Sequence, residues 1–268
     1  MGEKLRRDRI RQIIGWKARI WKGVWFMLSK LMKNSVLMLV FLFIASFYDR
    51  PAFGHYLWIA QQGENYIVGR GIIPDKFCPY NPDAVTFIKA FDAEGTDIPV
   101  NRVNDKERVF FRAGGSLSLA AVLCDWGNRV NTTRGKKLMT RRDAEQQGFK
   151  VLESFQSTQT SKTLFEDGAA VCRNLGMKFE LVPIKSPFKL EPGEPLELKL
   201  MYDGLPLRNA AVSSDVDTRT KTDENGIVRI EISKTGWNVI MAKHIVPSLN
   251  DANVDYHQFM TFLVVKVK

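Results

Sequence analysis

Leu196, Leu198 and Leu200 alternate with Glu197, Lys199 and Met201, and Val228, Ile230 and Ile232 alternate with Arg229 and Glu231. Successive side chains of a strand point to opposite faces, so a period of two marks half-buried strands and argues against helix. Turn residues separate these runs: Glu191-Pro192-Gly193-Glu194, Tyr202-Asp203-Gly204 and Asp223-Glu224-Asn225-Gly226. Asn and Gly tolerate the positive φ of tight hairpins. Strands at roughly ten-residue spacing joined by such turns predict an antiparallel β-sandwich, here over residues 179–268.

The preceding part, 55–135, reads the same way with less regularity. Candidate strands are Tyr66–Val68, Val85–Ala90, Arg108–Arg112, Leu117–Leu123 and Arg129–Thr132. Residues 136–176 are polar and lack clean alternation, which predicts an excursion with a short helix around 141–165. Pro183 and Pro187 suit a crossover between domains. The expected class is therefore all-β, with two β-sandwich domains (55–178 and 179–268) and a partly helical insertion in the first.

Charge is concentrated at one end. Of 39 Lys/Arg and 29 Asp/Glu, 11 and 3 fall in residues 1–54, leaving 28 and 26 for the remainder. The body has no basic stripe with interleaved aromatics, which argues against nucleic-acid binding. Ser35–Phe47 is an apolar run of 13 residues behind Lys30 and Lys33. A helix spanning a bilayer core takes about 20 residues, so this run has the length of a signal-peptide h-region instead. Ala52-Phe53-Gly54 supplies small residues at the two positions a signal peptidase requires. Residues 1–54 are thus expected to be a cleaved leader. It is over-long from Met1 and of ordinary length from Met32 or Met27; the rival reading is a basic amphipathic extension on the inner membrane surface.

Cys78, Cys124 and Cys172 allow at most one internal disulfide among three pairings. The chain has no CxxC, GxGxxG, phosphate-binding loop, HExxH or GxSxG, so the common redox, nucleotide and hydrolase signatures are missing.

Cleavage after Gly54 would make His55 the first residue, and this changes its chemistry. A free α-amine titrates near pH 8 and an imidazole near pH 6.5, about 7.7–8.0 and 6.5 unperturbed, so both offer lone pairs at neutral pH. The amine and Nδ1 close a six-membered ring on one metal ion. Nitrogen donors of this kind suit nickel, cobalt, copper and zinc better than calcium or magnesium. The other histidines are His244, after the apolar stretch Trp237–Lys243, and His257, after Asp255-Tyr256. If the last two strands are hairpin partners, their loop-proximal ends are neighbours, and His244 and His257 come close together. The candidate ligands are His55, His244 and His257. Each of the latter two also fits a half-exposed histidine bonded to backbone, and His55 also fits an accident of cleavage. Trp58 reads as core.

The order of features resembles a known family: a signal peptide ending at a histidine, His55-x-x-Trp58, the segments Gly176–Val212 and Lys221–Pro247, and an Asp-rich stretch before a last apolar strand in Asp251–Val267. The chain resembles an exported family of uncharacterised domains linked to nickel and cobalt uptake, whose members work beside energy-coupling-factor type transporters in the bacterial envelope. That resemblance implies a periplasmic metal-binding protein with an N-terminal β domain and an immunoglobulin-like C-terminal domain. It implies membrane transporter subunits as partners. His55 and His244 match its histidines, whereas His257 stands where the family more often has another polar residue.

Three functions follow as expectations. The first is a non-enzymatic, exported protein that binds nickel or cobalt, with copper or zinc as other suitable ions, and supports uptake. The second is an envelope binding or structural module without metal. The third is an enzyme whose copper ion, held by His55 and a second imidazole, activates oxygen as in some polysaccharide oxygenases, although nothing beyond the first residue shares the pattern of those enzymes.

Overall fold

The structure is a computed structural model that describes residues 55–191, 194–214, 219–232 and 235–267. The expected leader and the Pro192-Gly193 turn lie outside the described residues. The described part belongs to one compact unit, and no helix in it is long and apolar enough to cross a membrane.

Among the described residues the strands form three sheets. The first is β1 (Tyr56–Gln62), β2 (Asn65–Ile72), β7 (Val109–Ala113) and β6 (Val100–Asn104), with β3 (Lys76–Phe77) also on β2. The second and largest runs β15 (Thr220–Lys221), β14 (Ala211–Ser214), β17 (Gly236–Pro247), β18 (Tyr256–Val267), β10 (Val151–Leu164), β8 (Leu119–Thr132), β4 (Val85–Phe91) and β5 (Asp97–Ile98), with β9 (Gly135–Lys137) beside β8. The third holds β11 (Phe179–Pro183), β12 (Leu196–Tyr202), β13 (Leu205–Pro206) and β16 (Ile227–Ile230).

The large sheet is the middle layer. One of its faces joins the third sheet in a core that includes Leu119, Leu181, Leu198, Ile230, Ile240, Leu263 and Val265. The opposite face joins the first sheet through Trp58, Val68, Phe111, Val122, Val239, Phe262 and Val264. β18 therefore buries alternate residues on both sides, which is why FLVV reads as a continuous apolar run.

The all-β, sandwich-type class expected from the sequence is the class observed. The expected boundary at 178/179 falls between β10 and β11, and β18 returns to pair with β10 in parallel from Phe155↔Tyr256 to Leu164↔Val265. The large sheet is thus built from both sides of that boundary. Helix in the 141–165 excursion is confined to α1 (Arg141–Gln146), capped by the Thr140 side chain on Asp143 N–H. The rest is β10, a long strand at the middle of the large sheet. Two of its buried threonines are met by the covering layers: Thr163 Oγ1 accepts from Ile59 N–H at 2.9 Å and Thr160 Oγ1 donates to Phe179 C=O at 2.6 Å. The expected hairpin at Asp203-Gly204 is present, both residues having positive φ (51° and 78°) as a type I′ turn requires.

Candidate functional site

His55 lies immediately before β1, whose first pair is Tyr56↔Gly71. Gly71 is also paired with Phe77 of β3. The residues just outside these two pairs, His55 and Cys78, meet at this end of β2. The close turn depends on Gly71: its φ is +148°, and a Cβ there would stand 2.0 Å from Lys76 C=O. His55 Nε2 is 3.4 Å from Cys78 Sγ. The imidazole is exposed and the thiol half-buried.

Partial burial, followed by the charges of Arg70 and Lys76, holds the His55 imidazole below its usual pKa. It is therefore neutral at neutral pH and keeps the lone pair that a metal ligand needs. The separation also suits a shared ion. Metal–nitrogen and metal–sulfur bonds of about 2.0–2.1 Å and 2.3 Å, set between a right angle and a tetrahedral one, place the two donors about 3.1–3.6 Å apart. An amine chelate would use Nδ1 on the other edge of the ring. A single ion can thus take the amine with Nδ1, or Nε2 with the Cys78 sulfur.

The other two histidines are brought together, but on the far side of the large sheet. His244 of β17 is opposite Phe259 of β18, and Val246 is opposite His257, so the histidines are diagonal neighbours on one face. That face belongs to the core with the third sheet: the His244 ring is 4.6 Å from Tyr202 and 6.0 Å from Phe179, and His257 is 6.4 Å from Phe259. Burial lowers the His244 pKa. β1 packs on the opposite face, with Tyr56 6.1 Å from Phe262. The middle sheet therefore separates His55 from His244 and His257, and the three do not assemble as one ligand set. Alternation decides this, because the β17 and β18 residues facing β1 are the odd-numbered neighbours Val239 and Met241 and the even-numbered Phe262 and Val264. Among the described residues no group of three or more His, Cys, Asp and Glu is placed to hold a metal ion.

Trp58 is fully buried, as expected of a core residue. It lies across Gly69 of β2, its cross-strand partner, and 5.0 Å from Phe77. Cys78 was not legible as a neighbour of His55, because the contact depends on how β3 folds back along β2. All three cysteines are free, with Cys78 intermediate, Cys124 buried and Cys172 exposed.

No curated protein and no solved structure matches the chain. A family match takes in His55, Cys78 and His244 and stops short of His257. Over residues 52–246 it is to the family described as Domain of unknown function (DUF4198), and the chain belongs to that family.

Proposed function

We propose that this is an exported periplasmic protein that binds a divalent transition ion, nickel or cobalt, and hands it to membrane transporter subunits for uptake. The ion is cargo and the protein is not an enzyme. The observation that supports the reading is the 3.4 Å approach of His55 Nε2 to Cys78 Sγ at an exposed strand end. An imidazole and a thiolate are donors for nickel, cobalt, zinc and copper, and poor ones for calcium or magnesium. Cleavage before His55 adds an amine to the same residue and gives this end of β1 a third kind of donor beside the imidazole and the thiol. His244 and His257 are not needed for it.

Calorimetry with nickel chloride tests the proposal on protein that starts at His55. Binding should weaken sharply in His55→Ala. Loss in Cys78→Ala assigns the ion to Nε2 and sulfur, whereas loss on adding one residue before His55 assigns it to the amine and Nδ1. Binding that survives all three changes discards the site.

A further inference from the structure

A cleft of about 570 Å³ opens between β2, the second half of β8 and the 3-10 turn Pro82–Ala84, with Arg70, Asp83, Asp125, Trp126 and Arg129 among its walls. Its size is that of a small-molecule site, about 300–1,000 Å³. A β-bulge shapes it. Pairing of β8 with β10 jumps from Thr158↔Asp125 to Gln156↔Asn128, so Trp126 and Gly127 stand opposite Ser157 alone. Gly127 takes the left-handed conformation, φ +66°, and its N–H is held by Asp125 Oδ1 at 2.9 Å. Such bulges re-aim side chains.

The cationic groups in this cleft are uncommitted. Arg70 and Arg129 are half-buried, and among the described residues neither guanidinium donates a hydrogen bond or pairs with a carboxylate. Arg70 instead lies 5.1 Å over the Trp126 ring. Trp126 Nε1 is itself buried without a partner among the described residues. Buried donors in folded proteins are nearly always satisfied, so two half-buried, unpaired guanidiniums lining one cleft mark a place where an acceptor belongs. Burial disfavours the charge of both arginines, and Arg70 adds its repulsion to Arg129. An incoming oxyanion relieves both.

Negative charge is present in the same cleft. The Asp125 carboxylate is engaged by Gly127 N–H and Gln156 Nε2. Asp83, at the exposed rim, makes no side-chain hydrogen bond or ion pair among the described residues. Separated, uncommitted charges of both signs fit a ligand that carries both. We propose that this cleft binds a small zwitterion of amino-acid or dipeptide size, with its carboxylate on Arg70 and Arg129 and its ammonium toward Asp83. This site is distinct from the His55–Cys78 pair and stands whether or not that pair takes a metal.

The test is calorimetry on protein exported by its host, with a chelator present, using the standard α-amino acids and dialanine as ligands. N-acetylated and C-amidated forms of each binder are the comparison arms. A free zwitterion should bind, and either blocked form should bind about tenfold more weakly or worse, the loss expected of one charge-assisted contact. Arg129→Gln should weaken the free and N-acetylated forms and leave the C-amidated form unchanged. Asp83→Asn, at the rim, should do the converse. Circular dichroism checks that both variants fold. Failure of every zwitterion to bind at millimolar concentration overturns the proposal. So does a blocked form that binds as well as the free one, or folded Arg129→Gln and Asp83→Asn proteins with unchanged affinity.

Discussion

The ammonium of Lys162 on β10 and the carboxylate of Glu180 on β11 are paired inside the core, with 1% and 0% of their side chains exposed. The pair is embedded in backbone contacts: Lys162 Nζ donates to Arg173 C=O at 2.8 Å, and Glu180 accepts from Leu175 N–H at 2.8 Å and Met177 N–H at 3.0 Å. It thus pins the 165–178 connection to the large sheet. Removing one partner strands a buried charge, at a cost of about 3–5 kcal/mol, whereas replacing both with apolar groups can be nearly neutral. Urea unfolding should therefore show Lys162→Met and Glu180→Leu each strongly destabilised. The double variant should be more stable than the sum of the two predicts. Additive losses would mean that the two side chains act independently.

Trp58 leaves no room beside it on β2. A Cβ on Gly69 would stand 2.5 Å from Trp58 Cε2. Gly69→Ala should lower stability by about 1–3 kcal/mol, the range for an overpacked core. The same change in a Trp58→Leu background should cost less, because the smaller side chain gives way. A fluorescence-monitored denaturant midpoint reads both effects.

Asp255 ties the loop before β18 to two other elements: it accepts from Ser154 N–H of β10 at 2.7 Å and from Arg141 Nη2 of α1 at 2.5 Å. Burial by itself would raise the carboxyl pKa, but the Ser154 N–H and the Arg141 charge outweigh it and hold the group below its usual value. A depressed folded-state pKa contributes stability above the unfolded value of about 3.9, and that contribution is lost as pH falls through the folded value. Acid titration of thermal stability should show this component in the wild type and a flatter profile in Asp255→Asn. Parallel profiles would remove Asp255 from the account.

The three thiols should differ in reactivity. Maleimide should modify exposed Cys172 and half-buried Cys78 in the native protein. Cys124 is 0% exposed and burial pushes its pKa up, so it should react only after unfolding. If the proposed ion is held by Nε2 and the Cys78 sulfur, nickel protects Cys78 and leaves Cys172 unaffected. Peptide mass analysis with and without the ion distinguishes the two, and equal labelling of Cys78 in both would count against sulfur ligation.

Much of the third sheet was legible before folding. β12 and β16 show the period of two, and Asp203-Gly204 and Asp223–Gly226 close the turns between them; Asp223 Oδ1 accepts from both Asn225 N–H and Ile227 N–H. β10 was not legible. Its serines, threonines and Lys162 look like a solvated excursion, because the groups that meet Thr160, Lys162 and Thr163 belong to β11, the 165–178 connection and β1. β8 read as two strands, Leu117–Leu123 and Arg129–Thr132, because the bulge at Trp126-Gly127 interrupts a single one.

The histidines divide in the same way. That the end strands pair and bring His244 near His257 follows from local pattern, since adjacent antiparallel strands need only a short loop to find each other. Which face those rings occupy, and which residue stands beside His55, depend on the stacking of layers and on the fold-back of β3. Alternation and turn chemistry act between near neighbours in the chain, so the amino-acid order alone settles the regularly alternating strands, their hairpins and the all-β class. The partnership of His55 with Cys78, the cover over polar β10 and the two uncommitted arginines join segments distant in sequence, and those were decided only when the three sheets packed.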